Sequence, residues 1–265
     1  MKKLETARVA GQERIAEDIY SLTLDVSFAE EVRAGQFVSL YSSDASRLLP
    51  RPISICDFDA EKGQIRLVYR IAGKGTLEFS HLRGGDAVKV MGPLGNGFPL
   101  EEAAGKHVLL VGGGIGIPPM VGTGRALAAL DAGSRPSRIS HAAGYRTDDL
   151  FLTEELLASG RLCISTDDGS RGTHGTVLDA IRENAISPDL IFACGPAVML
   201  RALKDWAAGQ GIPLWVSMEE RMACGVGVCL GCVCNTAETD THSMVKRARI
   251  CADGPVFRAE EVDLS

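Results

Sequence analysis

The sequence has no basic excess. It carries 28 Lys and Arg against 34 Asp and Glu, a net charge of −6. A protein that binds nucleic acid electrostatically needs a cationic face for the phosphates, so this balance argues against that class. Long apolar runs are missing too. The most apolar stretch, "HVLLVGGGIGIPPMVG" (107–122), is interrupted by glycine and proline and is too short to span a bilayer. In "MKKLETARVAGQERIAEDIY" no apolar segment follows the two lysines, so a secretory signal is not expected, and the expected location is the cytoplasm. There is no internal repeat and no low-complexity tract. What is present is a globular composition, 45% hydrophobic and 23% charged, in 265 residues, enough for two domains and a small appendage.

The texture changes twice along the chain. Up to about residue 99, short alternating segments ("DIYSLTLDV", "GQFVSLYS", "RPISIC", "GQIRLVYRI", "DAVKVMG") predict a small antiparallel β-barrel, interrupted by a short helix at "TLEFSHL". From 100 to 217, apolar strands alternate with helical segments at βαβ spacing, which predicts a doubly wound parallel sheet. From 218 to 265 the pattern dissolves into a small cysteine-rich module.

Four of the eight cysteines lie in "ACGVGVCLGCVC" (223–234). In a reducing compartment such a cluster points to metal or redox chemistry before structural disulfides. Cys224-x4-Cys229-x2-Cys232, with Cys251 further on, is the plant-type spacing for a [2Fe–2S] cluster. Gly225, Gly227 and Gly231 let the backbone wrap closely and turn N–H groups toward sulfur. A tetrahedral zinc site is the alternative, although zinc motifs usually pair their ligands in two short elements. Cys234 competes with Cys251 for the fourth position, but four ligands on one tight loop would be strained, and Cys234 reads as a spectator. Cys56 and Cys163 read as core residues.

Two turns suit nucleotides. Gly114-Ile115-Gly116-Ile117-Pro118-Pro119 follows a strand and opens a helix, where glycines admit a pyrophosphate to the helix N-terminus. "FACGP" (192–196) closes another strand at the carboxyl end where ligands sit, although on its own a buried cysteine before a capping turn explains it better. In the predicted barrel, Arg51 and Ser54 of "RPISI" suit a phosphate and a flavin ring, and "GKGT" (73–76) forms an anion cradle. His81, His107, His141, His174 and His242 match no motif and read as surface or core residues. No catalytic acid, base or nucleophile stands out.

"RPIS", "GKGT", "GGGIGIPP" and "CGP", in this order, resemble the ferredoxin–NADP reductase superfamily, a flavin-binding barrel followed by a nicotinamide-binding domain. "MEERMACGVGVCLGCVC" and "RICADGPVF" resemble, more specifically, the electron-transfer subunits of type B dihydroorotate dehydrogenases. The resemblance covers nearly the whole chain. It implies FAD contacts at Arg51, Pro52, Ile53 and Ser54, at Val68, Tyr69 and Arg70, and at Gly75 and Thr76. It implies cluster ligands at Cys224, Cys229, Cys232 and Cys251, and a nicotinamide site including Gly114, Gly116, Cys194, Gly195 and Pro196. It further implies NAD+ as acceptor, a separate FMN-containing catalytic subunit in a heterotetramer of two plus two, and a place in pyrimidine biosynthesis. The rival readings are the flavin subunit of an NADPH-linked ferredoxin or sulfide oxidoreductase, and a zinc-bound interaction module without catalysis. No acidic residue stands clearly about twenty residues past the glycines, so coenzyme choice is not readable from the ribose side.

Overall fold

The computed structural model describes residues 2–239 and 244–264. Its first part is a closed six-stranded antiparallel barrel of β1 (Lys3–Ala16), β2 (Ile19–Asp25), β3 (Phe37–Tyr41), β4 (Arg51–Asp59), β5 (Gln64–Arg70) and β6 (Ala87–Leu94). The order around the barrel is β1-β2-β5-β4-β3-β6, with β6 closing on β1. Leu22, Leu24, Val38, Leu40, Ile65 and Leu67 fill its interior, and α1 (Lys74–Phe79) packs Phe79 against them. Strands β2 to β6 fall where the alternating segments predict them; β1 is an addition. Only Ala7 and Val9 along its 14 residues are fully buried, so apolar alternation is nearly absent. Pairing with β2 on one side and β6 on the other makes it a strand instead.

The second part is built on β7 (His107–Gly113), β8 (Arg138–Tyr145), β9 (Arg161–Thr166), the two-residue β10 (Thr173–His174), β11 (Leu190–Cys194) and β12 (Leu214–Ser217), all parallel. Helices α2 (Pro118–Ala128) and α3 (Thr153–Ser159) pack on one face; α4 (Val177–Glu183) and α5 (Ala197–Gln210) pack on the other. The chain adds β8, β9 and β10 outward from β7, then returns to lay β11 and β12 on the opposite side. The order therefore reverses between β7 and β11, where open α/β sheets bind ligands.

The cysteine segment forms a small pair, β13 (Val233–Asn235) and β14 (Arg247–Arg249), and then β15 (Val256–Arg258), which joins the second sheet antiparallel to β12. Asn96, just past the barrel, holds this return. Its amide donates to the carbonyls of Asp253 and Val256, and its Oδ1 accepts from Val256 N at 2.9 Å. Ion pairs join barrel to sheet as well: Arg66 with Glu155 at 3.1 Å, and Arg125 with Asp57 at 2.5 Å. Among the described residues no helix is long and apolar enough to cross a membrane. His81 and His174 are exposed, His107 is half-buried and His141 is buried within the second sheet. His242 lies outside the described residues.

Candidate functional site

The barrel end of the site is an open strand beside a cationic turn. Arg51, Pro52, Ile53 and Ser54 are all half-buried, so neither face of β4 is closed over at this point. The Arg51 guanidinium lies directly over the start of α1. A Cβ added at Gly75 would stand 2.2 Å from Arg51 Nε and 2.6 Å from its Cζ. Glycine is thus the residue that lets this guanidinium settle on the turn. Arg47, which the sequence reading did not single out, reaches the same turn and donates to the Lys74 carbonyl at 3.1 Å. Glu78 anchors it there and also accepts from Ser43 N and Ser43 Oγ, both at 2.7 Å. Two arginines and Lys74 around one turn match the diphosphate of a dinucleotide.

Thr76 has a different task from a direct contact. Its hydroxyl accepts from Ala72 N at 2.9 Å and Gly73 N at 3.2 Å and donates to the Gly73 carbonyl, so it shapes the turn itself. Along β5, Val68 packs toward the second domain, whereas Tyr69 points into the barrel, stacks on Tyr20 and donates to Gln12 at 2.9 Å. Position 69 therefore offers a ligand only its main chain. Arg70 reaches across to the second sheet. Its Nη2 lies 3.7 Å from where a Gly114 Cβ would be.

The two glycine turns predicted from sequence meet at the switch point. Cys194 is paired with Gly112 across β11 and β7. A Cβ on Gly116 would fall 2.3 Å from the Cys194 carbonyl oxygen and 2.6 Å from Gly195 Cα. One on Gly113 would strike Met199 Sδ at 2.6 Å, and Pro196 Cδ stands 3.1 Å away. Gly113 and Gly116 therefore bring two backbones together, and Gly114, with φ +53°, bends the turn beside Arg70. Cys194 is fully buried. Burial and the nearby Glu219 charge push its thiol well above the ordinary range, against a hydrogen bond from Ser217.

The cysteine loop is built around sulfur. Cys224 Sγ accepts from Val228 N at 3.3 Å, Cys229 N at 3.4 Å and Val226 N at 3.5 Å. Cys251 Sγ accepts from Gly227 N at 3.1 Å, and Cys232 Sγ from Cys251 N at 3.4 Å. Gly225 and Gly227 have φ of +68° and +84°, which turns successive amides inward. Burial works against ionisation of Cys224, but these amides and the Cys229 thiol lower it to about 6. These amide hydrogen bonds set Cys229 beside Cys224 and Cys251 beside Cys232, so the four cysteines stand as two neighbouring pairs. Among the described residues no three Cys, His, Asp or Glu converge tightly enough to surround one ion. Two thiol pairs with amides aimed at sulfur fit a two-iron cluster better than a single zinc. Cys234 is buried on β13 among core side chains.

Arg249 ties the halves of the loop together, a role the sequence reading missed. It pairs with Asp253 through two contacts at 2.8 and 2.9 Å and donates to the Gly227 carbonyl at 3.2 Å. The outer rim is apolar and open, with Val228 79% and Leu230 61% exposed.

The fold and these sites define a ferredoxin-reductase-like flavoprotein with an iron–sulfur module at its C-terminus. An oxidoreductase FAD-binding domain matches residues 6–98, and the iron–sulfur cluster binding domain of dihydroorotate dehydrogenase B matches residues 219–263. The chain is 44% identical over 264 residues to the electron transfer subunit of dihydroorotate dehydrogenase B (NAD(+)) of Bacillus caldolyticus, covering 98% of each. It is 42% identical over 259 residues to that of Listeria monocytogenes, covering 97% of this chain and 98% of the relative. The solved structure of an NADH-dependent reduced ferredoxin–NADP oxidoreductase superposes with a TM-score of 0.84 at 32% identity, over 97% of this chain and 90% of that one. A ferredoxin NADP+ reductase from Neisseria gonorrhoeae shares the fold, with a TM-score of 0.67 at 16% identity, over 83% of this chain and 95% of that one. The chain belongs to the family of electron transfer subunits of dihydroorotate dehydrogenase B. The identity to these subunits exceeds that to the ferredoxin-linked structure, which disfavours the ferredoxin rival.

Proposed function

We propose that the chain relays electrons from an FMN-bearing, dihydroorotate-oxidising catalytic subunit to NAD+, in a cytoplasmic complex of two plus two subunits. The observation that carries the reading is the pair of thiol pairs under an exposed apolar rim, at the end of a flavoprotein scaffold. An exposed apolar rim beside a one-electron centre suits the docking of a donor subunit.

Cys224, Cys229, Cys232 and Cys251 would hold the cluster as thiolate ligands. The amides of Val226, Gly227, Val228 and Cys229 stabilise negative charge on the sulfurs. Arg51 neutralises the FAD diphosphate over Gly75, helped by Arg47 and Lys74, while Thr76 holds the turn in shape. Pro52, Ile53, Ser54, Val68, Arg70 and the main chain of Tyr69 line the ring's side of the barrel. Gly114, Gly116, Cys194, Gly195 and Pro196 shape the nicotinamide crevice, and Arg70 spans the gap between it and the barrel. When bound, the flavin exchanges two electrons with the nicotinamide and single electrons with the cluster, which neither of those does alone. The working units are 1–99 for FAD, 100–217 for NAD and 218–265 for the cluster.

The test is dihydroorotate-dependent NAD+ reduction by the chain alone, by the catalytic subunit alone and by the mixture. The mixture is expected to be active and the chain alone inactive, although it still passes electrons from NADH to an artificial acceptor. A mixture no better than its parts, with reduced ferredoxin accepted instead, transfers the chain to the ferredoxin-linked class.

A further inference from the structure

Ser39 lies on β3, where Val38 and Leu40 point into the barrel, so its own side chain points outward. It is completely buried, and among the described residues its hydroxyl has no hydrogen-bond partner. What covers it is the cysteine loop. A Cβ on Gly225 would stand 3.1 Å from Ser39 Oγ, with Met91 and Leu94 completing the contact at 3.4 Å. On its other side, Ser39 is paired with Pro52 of the half-buried β4 segment. The hydroxyl therefore sits between the strand assigned to the flavin and the residue that follows the first cluster cysteine.

An apolar side chain of this size would fill the space without leaving a hydroxyl unpaired, so the unmet donor needs an explanation. The described residues offer it no acceptor. Loading would bring acceptors to both neighbours of Ser39, flavin ring atoms at β4 and sulfur at the cysteine loop, and it is the loop that covers the hydroxyl.

We propose that Ser39 donates a hydrogen bond to a sulfur of the bound [2Fe–2S] cluster and so acts as a positioning residue that sets its reduction potential from the flavin side. This rests on the cluster assignment above. Hydrogen bonds to cluster sulfurs favour the reduced, more negative state. Removing this one lowers the potential, which makes the cluster a stronger reductant toward the flavin and a poorer acceptor from the partner.

The experiment compares native protein, Ser39→Ala and Ser39→Thr, each reconstituted with iron and sulfide. Iron, acid-labile sulfide and FAD are assayed, and the cluster is titrated potentiometrically with EPR detection. Ser39→Ala is expected to keep native iron and FAD while its one-electron reduction equilibrium weakens about tenfold, the worth of a hydrogen bond to an ionised acceptor, or about 59 mV. Ser39→Thr, which keeps the hydroxyl, returns the potential to the native value. If Ser39→Ala loads poorly, Ser39→Cys takes its place, with a weaker donor and the same expected direction. A native potential in loaded Ser39→Ala or Ser39→Cys overturns the proposal. Native protein that binds neither iron nor sulfide overturns the cluster assignment instead, so the two failures are distinct.

Discussion

Cys194 and Cys224 carry the same thiol, and their surroundings drive it in opposite directions. Cys194 ends a central strand, is fully buried, and is held protonated by burial and by the Glu219 charge. Cys224 sits on a loop whose successive amides turn toward its sulfur and draw its pKa down to about 6. The glycines beside them differ in the same way. Around Cys194 they are small because another backbone passes within 2.3 Å of a would-be Cβ at Gly116. Around Cys224 they are bent, with φ of +68° at Gly225 and +84° at Gly227. One region uses glycine to close a crevice; the other uses it to aim donors. A thiol that must ligate metal needs the second arrangement.

The largest effect expected from breaking this contrast is at the fourth thiol. Cys251→Ala removes one member of the Cys232–Cys251 pair and should abolish cluster retention, read as iron and acid-labile sulfide per chain. Cys234→Ala, in the core of β13, should keep both. The reverse result would show that the loop closes on itself and that the return strand is only structural.

Next comes Gly116→Ala. The new methyl would overlap the Cys194 carbonyl and Gly195, which neither backbone can easily avoid. Overpacking of this kind costs about 1–3 kcal/mol. NADH-driven reduction of an artificial acceptor should collapse while iron content holds. Gly114→Ala is the control, since its nearest obstacle is Arg70 at 3.7 Å and only its φ of +53° is strained, at about 1–2 kcal/mol. Equal losses in both variants would mean that conformation, and not the approach of two turns, governs this site.

The contrast also explains what was legible in the sequence. Ligand spacing is a local property, and Cys224, Cys229 and Cys232 could be read directly because one loop carries all three. The G-x-G-I-x-P turn was equally visible. That it meets "CGP" is a matter of topology, because β11 returns to pair with β7 across about eighty residues, and strand alternation alone does not say which strands become neighbours. Arg47 and Arg249 were not found, because their tasks depend on partners (Glu78 and Gly227) brought close only by folding. Strand β1 was missed for a different reason: its pairing is strong and its burial slight. Tyr69 shows the limit of carrying motif residues over as side chains, since alternation turns its ring inward.

At the barrel, Arg51→Ala should weaken FAD retention without unfolding the second domain. A guanidinium on an ionised diphosphate is worth about 1.5–3 kcal/mol, or roughly tenfold to a hundredfold in FAD dissociation. Fluorescence of released FAD on dilution measures it. Thr76→Ala should act through the turn, and so lose FAD together with the protection of the Ala72 and Gly73 amides in hydrogen exchange. Native FAD occupancy in Arg51→Ala would move the diphosphate away from this turn.

The smallest effect at neutral pH belongs to His141, which extends the rule of Cys194 to a base. On β8 its Nε2 meets Ser159 Oγ at 2.8 Å, its Nδ1 has no partner among the described residues, and burial pushes its pKa down to about 4. A histidine depressed in the folded state adds nothing above the unfolded value near 6.5, where both states are neutral. As pH falls below that value the unfolded chain takes up a proton that the folded chain refuses, so stability drops until the folded pKa is passed. With these values the loss reaches about 2 kcal/mol at pH 5. His141→Gln keeps a donor for Ser159 and cannot titrate. Urea unfolding from pH 7 to pH 4.5 should therefore show a shallower acid limb for the variant, whatever its stability at pH 7. Parallel limbs would mean that His141 takes up its proton in the folded state, and that the second sheet tolerates a buried charge which its handling of Cys194 says it does not.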